Sequence, residues 1–226
     1  MPEKPRVKAP RQRRASTDPD AARKRRLALL VGVGGGLLIA VAVAFIGLGF
    51  SGGGGPDEKQ VRADLTAAGC TLQSFPGVSR DHINDPAARP KEWTSFPPTS
   101  GRHYVTPAVY GFYTEPVELA RILHGLEHGG VYVLYGSKVP ADTESKLREI
   151  YDQDPRGLVV AQLPELGNKI ALGAWTSEHP GSGEVGTGHL AMCTRVDKKA
   201  FDAFIKGFRG RGPEGAPLDL LQPGGT

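Results

Sequence analysis

Two imidazoles and a carboxylate fall within five residues of one another in Leu123-His124-Gly125-Leu126-Glu127-His128-Gly129-Gly130. On a helix, His124 and His128 stand one turn apart on the same face, and Glu127 lies three residues from His124. Two imidazoles at that spacing can chelate a single transition-metal ion, zinc or copper in particular. A further histidine, His103, ends the proline-ordered turn Pro97-Pro98-Thr99-Ser100-Gly101-Arg102-His103. The candidate metal ligands are therefore His103, His124, His128 and Glu127, the last as fourth ligand or as a partner that orients a histidine.

Two other readings of the same residues stay open. In the first, the histidines are structural: a histidine in the last helical turn interacts favourably with the helix dipole, and a buried Glu–His pair can pin a helix to a loop. In the second, His124-x-x-Glu127-His128 is the inverted zinc-peptidase pattern, with Glu127 polarising a zinc-bound water. That chemistry needs a continuing helix and a further carboxylate ligand. Here Gly129-Gly130 stops the helix, and Glu178 and Glu184 lie in Gly/Pro-rich sequence.

Two more histidines sit late in the chain, His179 in a Glu-His-Pro loop and His189, which could reach the same cluster. His189-Leu190-Ala191-Met192-Cys193 holds the soft ligands of copper(I), but on a strand Met192 points away from His189 and Cys193. Met192 then reads as core, and Cys193 as half of a disulfide with Cys70. Ser100 is not set in a Gly-x-Ser-x-Gly nucleophile elbow. No phosphate-binding loop, Cys-x-x-Cys pair or calcium loop is present.

The elements that must position these residues follow from pattern. Asp57 to Ala68 reads as a helix with Val61 and Leu65 on one face, stopped by Gly69. Residues 71–113 read as mostly irregular, punctuated by prolines, and loops of that length are often functional. Thr114 is a plausible N-cap for a helix from Glu115 to His128, followed by a buried strand at Val131–Tyr135. A helix from about Asp142 to Tyr151 and strands at Leu158–Ala161, Ile170–Thr176 and Leu190–Thr194 follow. The last helix has Asp197 as cap and Ala200, Phe201, Phe204, Ile205 and Phe208 at helical spacing. The alternation predicts a single α/β or α+β domain over residues 57–210 with a loose tail at 211–226.

Location is set by a run without a charged residue, Leu27 to Phe50, long enough to cross a bilayer. Ten Lys or Arg precede it, against Glu3, Asp18 and Asp20, which keeps residues 1–26 cytoplasmic and exports everything after Phe50. A long apolar core leading into the Gly-rich linker 51–56, with no cleavage site close behind, reads as an uncleaved anchor. Residues 1–26 carry a net of +7, so in a chain of net +4 the remaining 200 residues carry −3. A nucleic-acid-binding domain would place its basic surface on the folded part, and this one does not. Gly32–Gly36 permits close helix packing in the membrane, so a homodimer is one expected assembly and an envelope protein partner another. Export also places Cys70 and Cys193 where oxidation is permitted.

Pro97-Pro98-Thr99-Ser100-Gly101-x-His103 and Leu123-x-His124-x-Leu126-Glu127-His128-Gly129 together resemble an uncharacterised bacterial family of membrane-anchored proteins, common in actinobacteria. The resemblance spans about Gln73 to Glu214. It implies one N-terminal transmembrane segment, an extracytoplasmic domain, and a single site holding His103, His124, Glu127 and His128. It brings no activity with it. The sequence therefore predicts a metal-binding, non-enzymatic exported domain, with a scaffold module or a zinc-dependent hydrolase as the alternatives.

Overall fold

The computed structural model describes residues 57–85 and 92–225. The expected cytoplasmic tail, membrane span and glycine linker all fall in residues 1–56, outside the described residues. Among the described residues no helix is long and apolar enough to cross a membrane.

A mixed six-stranded sheet organises the domain, which is α+β. In chain order its strands are β1 (Thr71–Pro76), β4 (Gly111–Phe112), β5 (Val131–Tyr135), β6 (Leu158–Gln162), β7 (Ile170–Thr176) and β8 (Thr187–Cys193). They lie in the order β1-β8-β7-β5-β6-β4. Along the first four each strand is antiparallel to its neighbour, and β6 and β4 continue in parallel beyond β5. Two short segments, β2 (His82–Ile83) and β3 (His103–Tyr104), form a separate parallel pair.

Both faces of the central strands are covered, so these strands read as near-continuous apolar runs. Val131, Val133, Leu158, Val160, Ile170, Leu172 and Ala174 point to one face, while Tyr132, Leu134, Val159, Ala161, Ala171 and Trp175 point to the other. The first face is packed by three helices: α1 (Glu58–Ala67), α3 (Thr143–Gln153) and α4 (Lys198–Phe208). Helix α4 buries Phe201, Phe204 and Phe208, each contributing roughly 1.5–3 kcal/mol. Its cap is the predicted one, since Asp197 accepts from the Ala200 N–H at 3.0 Å. Cys70 and Cys193 form the expected disulfide on this face, closing a separation of 123 residues. In the chain-entropy model that link stabilises by about 5 kcal/mol. The second face carries α2 (Leu119–Glu127) and the proline-rich loop.

The described residues of 71–113 are mostly irregular, as expected, with β1 and three two-residue strands among them, but β1 itself was not anticipated. It is an edge strand that buries little beyond Leu72, and so lacks a strong apolar signal. Two other expectations from sequence are corrected. The second helix begins at Leu119 instead of Glu115. Pro116 biases Glu115 towards extended backbone, and Glu118, itself extended, stands at the N-cap without a capping side-chain hydrogen bond. The segment after Gly210, expected to be loose, is tied down. Gly210 N–H donates to Gly129 O, Glu214 N–H to Glu127 O and Gly157 N–H to Leu221 O, and Leu221 is buried.

Candidate metal centre

The site is assembled from three pieces of chain lying against Trp175 on the second face. The sheet supplies the floor: Trp175 is fully buried, donates to Val185 O at 2.6 Å, and meets the His103 ring edge-on at 5.9 Å. Two glycines then let the proline loop come close. Gly173 lies opposite Tyr132, whose ring occupies the space a side chain at 173 would need, with Cζ 2.0 Å from the Cβ position. Tyr132 Oη reaches across to donate to Pro97 O at 3.3 Å. Gly188 leaves the corresponding space to Thr99. The loop so held delivers His103 into the interior.

Helix α2 supplies the second piece. Its Gly125 receives the Tyr110 ring, and Tyr110 Oη donates to Gly125 O at 2.8 Å. This packing turns His124 and Glu127 inward, 7% and 0% exposed. The helix stops where glycine is required: Gly129 has φ +105°. The third piece is β2, in register with β3, so that His82 stands beside His103.

One ligand atom from each of His82, His103, His124 and Glu127 lies within 4.8 Å of every other. The three rings are mutually packed, with centroids 4.6–4.9 Å apart. His103 Nδ1 lies 2.8 Å from Gly101 O, and His124 Nδ1 lies 2.7 Å from Tyr104 O. A carbonyl only accepts, so each Nδ1 carries the proton and donates it. In a neutral ring the Nε2 lone pair then faces the cluster. Burial, aided by the neighbouring rings of His103, His128 and His82, pushes the His124 pKa down to about 4, so this ring is neutral at pH 7.

Glu127 is held from both sides. Arg80 Nε donates to Oε1 at 2.6 Å, while Oε2 faces His103 Nε2 at 3.1 Å and His82 Nε2 at 3.5 Å. Burial works against its charge, but the His103 and Arg80 hydrogen bonds prevail and hold its carboxyl below the usual range. His103 is the informative residue. Its two nitrogens both confront acceptors, Gly101 O and Glu127 Oε2, which a neutral imidazole cannot satisfy. The arrangement is resolved either by a second proton on the ring or by a cation between Nε2 and Oε2.

The structure thus gathers three of the four residues expected from sequence and places the other differently. His128 is the C-cap of α2. Its ring touches that of His124 at 4.6 Å, but its Nε2 pairs with Glu214 at 3.0 Å. His82 takes part instead, a residue that sequence reasoning passed over. Its only signal is a His followed by a buried apolar residue, shared by His82-Ile83 and His103-Tyr104, and both Ile83 and Tyr104 pack with Ala120. His189 does not reach the cluster. It lies on the opposite face, stacked on Phe208 at 4.2 Å, with its ring nitrogens at Ser74 and Thr176. His179 pairs with Glu184 on the surface. A cleft of about 400 Å³ lined by Trp93, Tyr104, Pro116, Glu118 and Leu163 lies nearby, and Tyr104 is its link to the cluster.

Comparison with curated proteins and with solved structures returned no match. The family model described as "Protein of unknown function (DUF3105)" matches residues 87–219, more than half of the chain, an interval that carries His103, His124 and Glu127 while His82 lies just before it. The chain belongs to the DUF3105 family.

Proposed function

We propose that this DUF3105 domain is a transition-metal-binding module, held on the outer side of a membrane by residues 27–50, with His82, His103, His124 and Glu127 as its ligands. The observation that carries the reading is the pair of Nδ1–H donations to Gly101 O and Tyr104 O, at 2.8 and 2.7 Å. Anchoring one ring nitrogen on a carbonyl is how proteins fix the tautomer and aim of a metal-ligating histidine. Of the two anchored rings, His103 points Nε2 at Glu127 Oε2, 3.1 Å away, and His124 offers a ligand atom within 4.8 Å of the same group.

Three imidazoles and a carboxylate suit Zn²⁺ or Cu²⁺; the set lacks the thiolate or thioether that Cu⁺ prefers. Glu127 would bind through Oε2 alone, since Oε1 is taken by Arg80. A tetrahedral ion with bonds of about 2.1 Å spaces its ligands roughly 3.4 Å apart. The group, now within 4.8 Å, would close by at most about 1.4 Å. With Oε1 held by Arg80 and Oε2 turned to His103 and His82, Glu127 is committed to partners within the site, which argues against the general-base role of the hydrolase reading.

The scaffold reading retains one specific observation: Glu127 already holds Arg80 on one oxygen and His103 on the other without a metal. Elemental analysis of the untagged full-length chain in detergent separates the two. The metal reading expects about one Zn or Cu per chain, lost in a still-folded His103→Ala/His124→Ala variant. Absence of metal after equilibration with both ions would leave the scaffold reading standing.

A further inference from the structure

Resting on the metal reading above, we infer that His82 is an exchangeable ligand, and that the position it fills is where an external nitrogen donor such as an imidazole side chain gains access to the metal. The four ligands are not equivalent. The side chains of His103 and Glu127 are 0% and 1% exposed, whereas that of His82 is 35% exposed. His103 and His124 are each anchored on a main-chain carbonyl, and Glu127 is anchored by Arg80. Among the described residues His82 has no such anchor: its polar contact is Glu127 Oε2 at 3.5 Å, and it otherwise leans on the rings of His103 and His124.

The supporting backbone differs in the same sense. His103 is also on a two-residue strand, but the loop leading into it is pinned to the sheet and His124 comes from a packed helix, while His82 rides on a two-residue strand that, among the described residues, pairs with β3 alone. It is also the ligand free to supply the contraction that a bound ion requires. The three buried side chains therefore form a retained N₂O set, and His82 closes the fourth position from the solvent side. Exchange there is a substitution of one neutral nitrogen donor for another at constant metal charge. It exposes the ion to an incoming histidine of a partner without opening the core.

The test is zinc release from the full-length chain in detergent, loaded with one equivalent and challenged with a chromogenic chelator. His82→Ala should keep its zinc yet release it roughly tenfold faster than wild type or more, and millimolar imidazole should restore slow release. With Co²⁺ in place of zinc, the visible absorption bands of His82→Ala should shift on adding imidazole, while those of wild type should shift much less. Release from His82→Ala at the wild-type rate, or complete loss of metal as in His103→Ala, would overturn the assignment. A wild-type chain that takes up no metal would instead refute the metal reading itself, and this inference with it.

Discussion

Replacing His189 should remove a pH-dependent part of the domain's stability, at a place remote from the metal centre. The ring is 4% exposed, stacked on Phe208, with Nδ1 at Ser74 Oγ (3.1 Å) and Nε2 at Thr176 Oγ1 (2.8 Å). Burial pushes its pKa from 6.5 down to about 4; the Arg211 and Arg62 charges act in the same direction and Glu58 opposes them. The unfolded chain therefore binds this proton more readily than the folded one between pH 6.5 and about 4. Stability is fully present above 6.5 and is lost as pH falls through that window. Over the whole shift of about 2.5 units the loss approaches 3.4 kcal/mol, and between pH 7.5 and 5.0 it comes to about 2 kcal/mol. Urea unfolding with chelator present, followed by emission from buried Trp175, measures it. Wild type should lose about 2 kcal/mol more than His189→Gln across that interval. Equal losses in the two proteins would refute the reasoning, whatever the variant's stability at pH 7.5.

Two further outcomes follow from the fold and from the proposed location. Gly173→Val should destabilise by about 1–3 kcal/mol or more, because its Cβ position lies 2.0 Å from Tyr132 Cζ; the displaced Tyr132 should also loosen the Pro97 turn and weaken zinc binding in the same preparation. Protease added to intact spheroplasts should degrade residues 57–226 and spare a tag placed before residue 1, and protection of the domain would reject the exported topology.

Much of the frame was legible because local pattern is enough to specify it. The apolar runs Val131–Tyr135 and Ile170–Thr176 became central strands with the bounds their sequence suggests, and Asp197 with its aromatic stripe became α4. The Cys70–Cys193 link followed from there being two cysteines, and the His124-x-x-Glu127 spacing already placed an imidazole and a carboxylate on one helical face. Edge strand β1 was hidden because a half-buried element carries weak periodicity, and the late start of α2 because Pro116 can open a helix as readily as it can hold the residue before it extended.

Long-range pairing decided the rest. No local pattern says that β2 lies beside β3, yet that register is what brings His82 to His103. Nor does spacing reveal that the C-terminal segment returns to the end of α2, where Glu214 takes His128 and Arg80 takes one oxygen of Glu127. Residue types at helical spacing determined which groups could share a site. The Gly101 carbonyl that aims His103 lies within its own turn. The choice between two histidines, and the Tyr104 carbonyl that aims His124, came only with the tertiary structure, since both join segments distant in sequence.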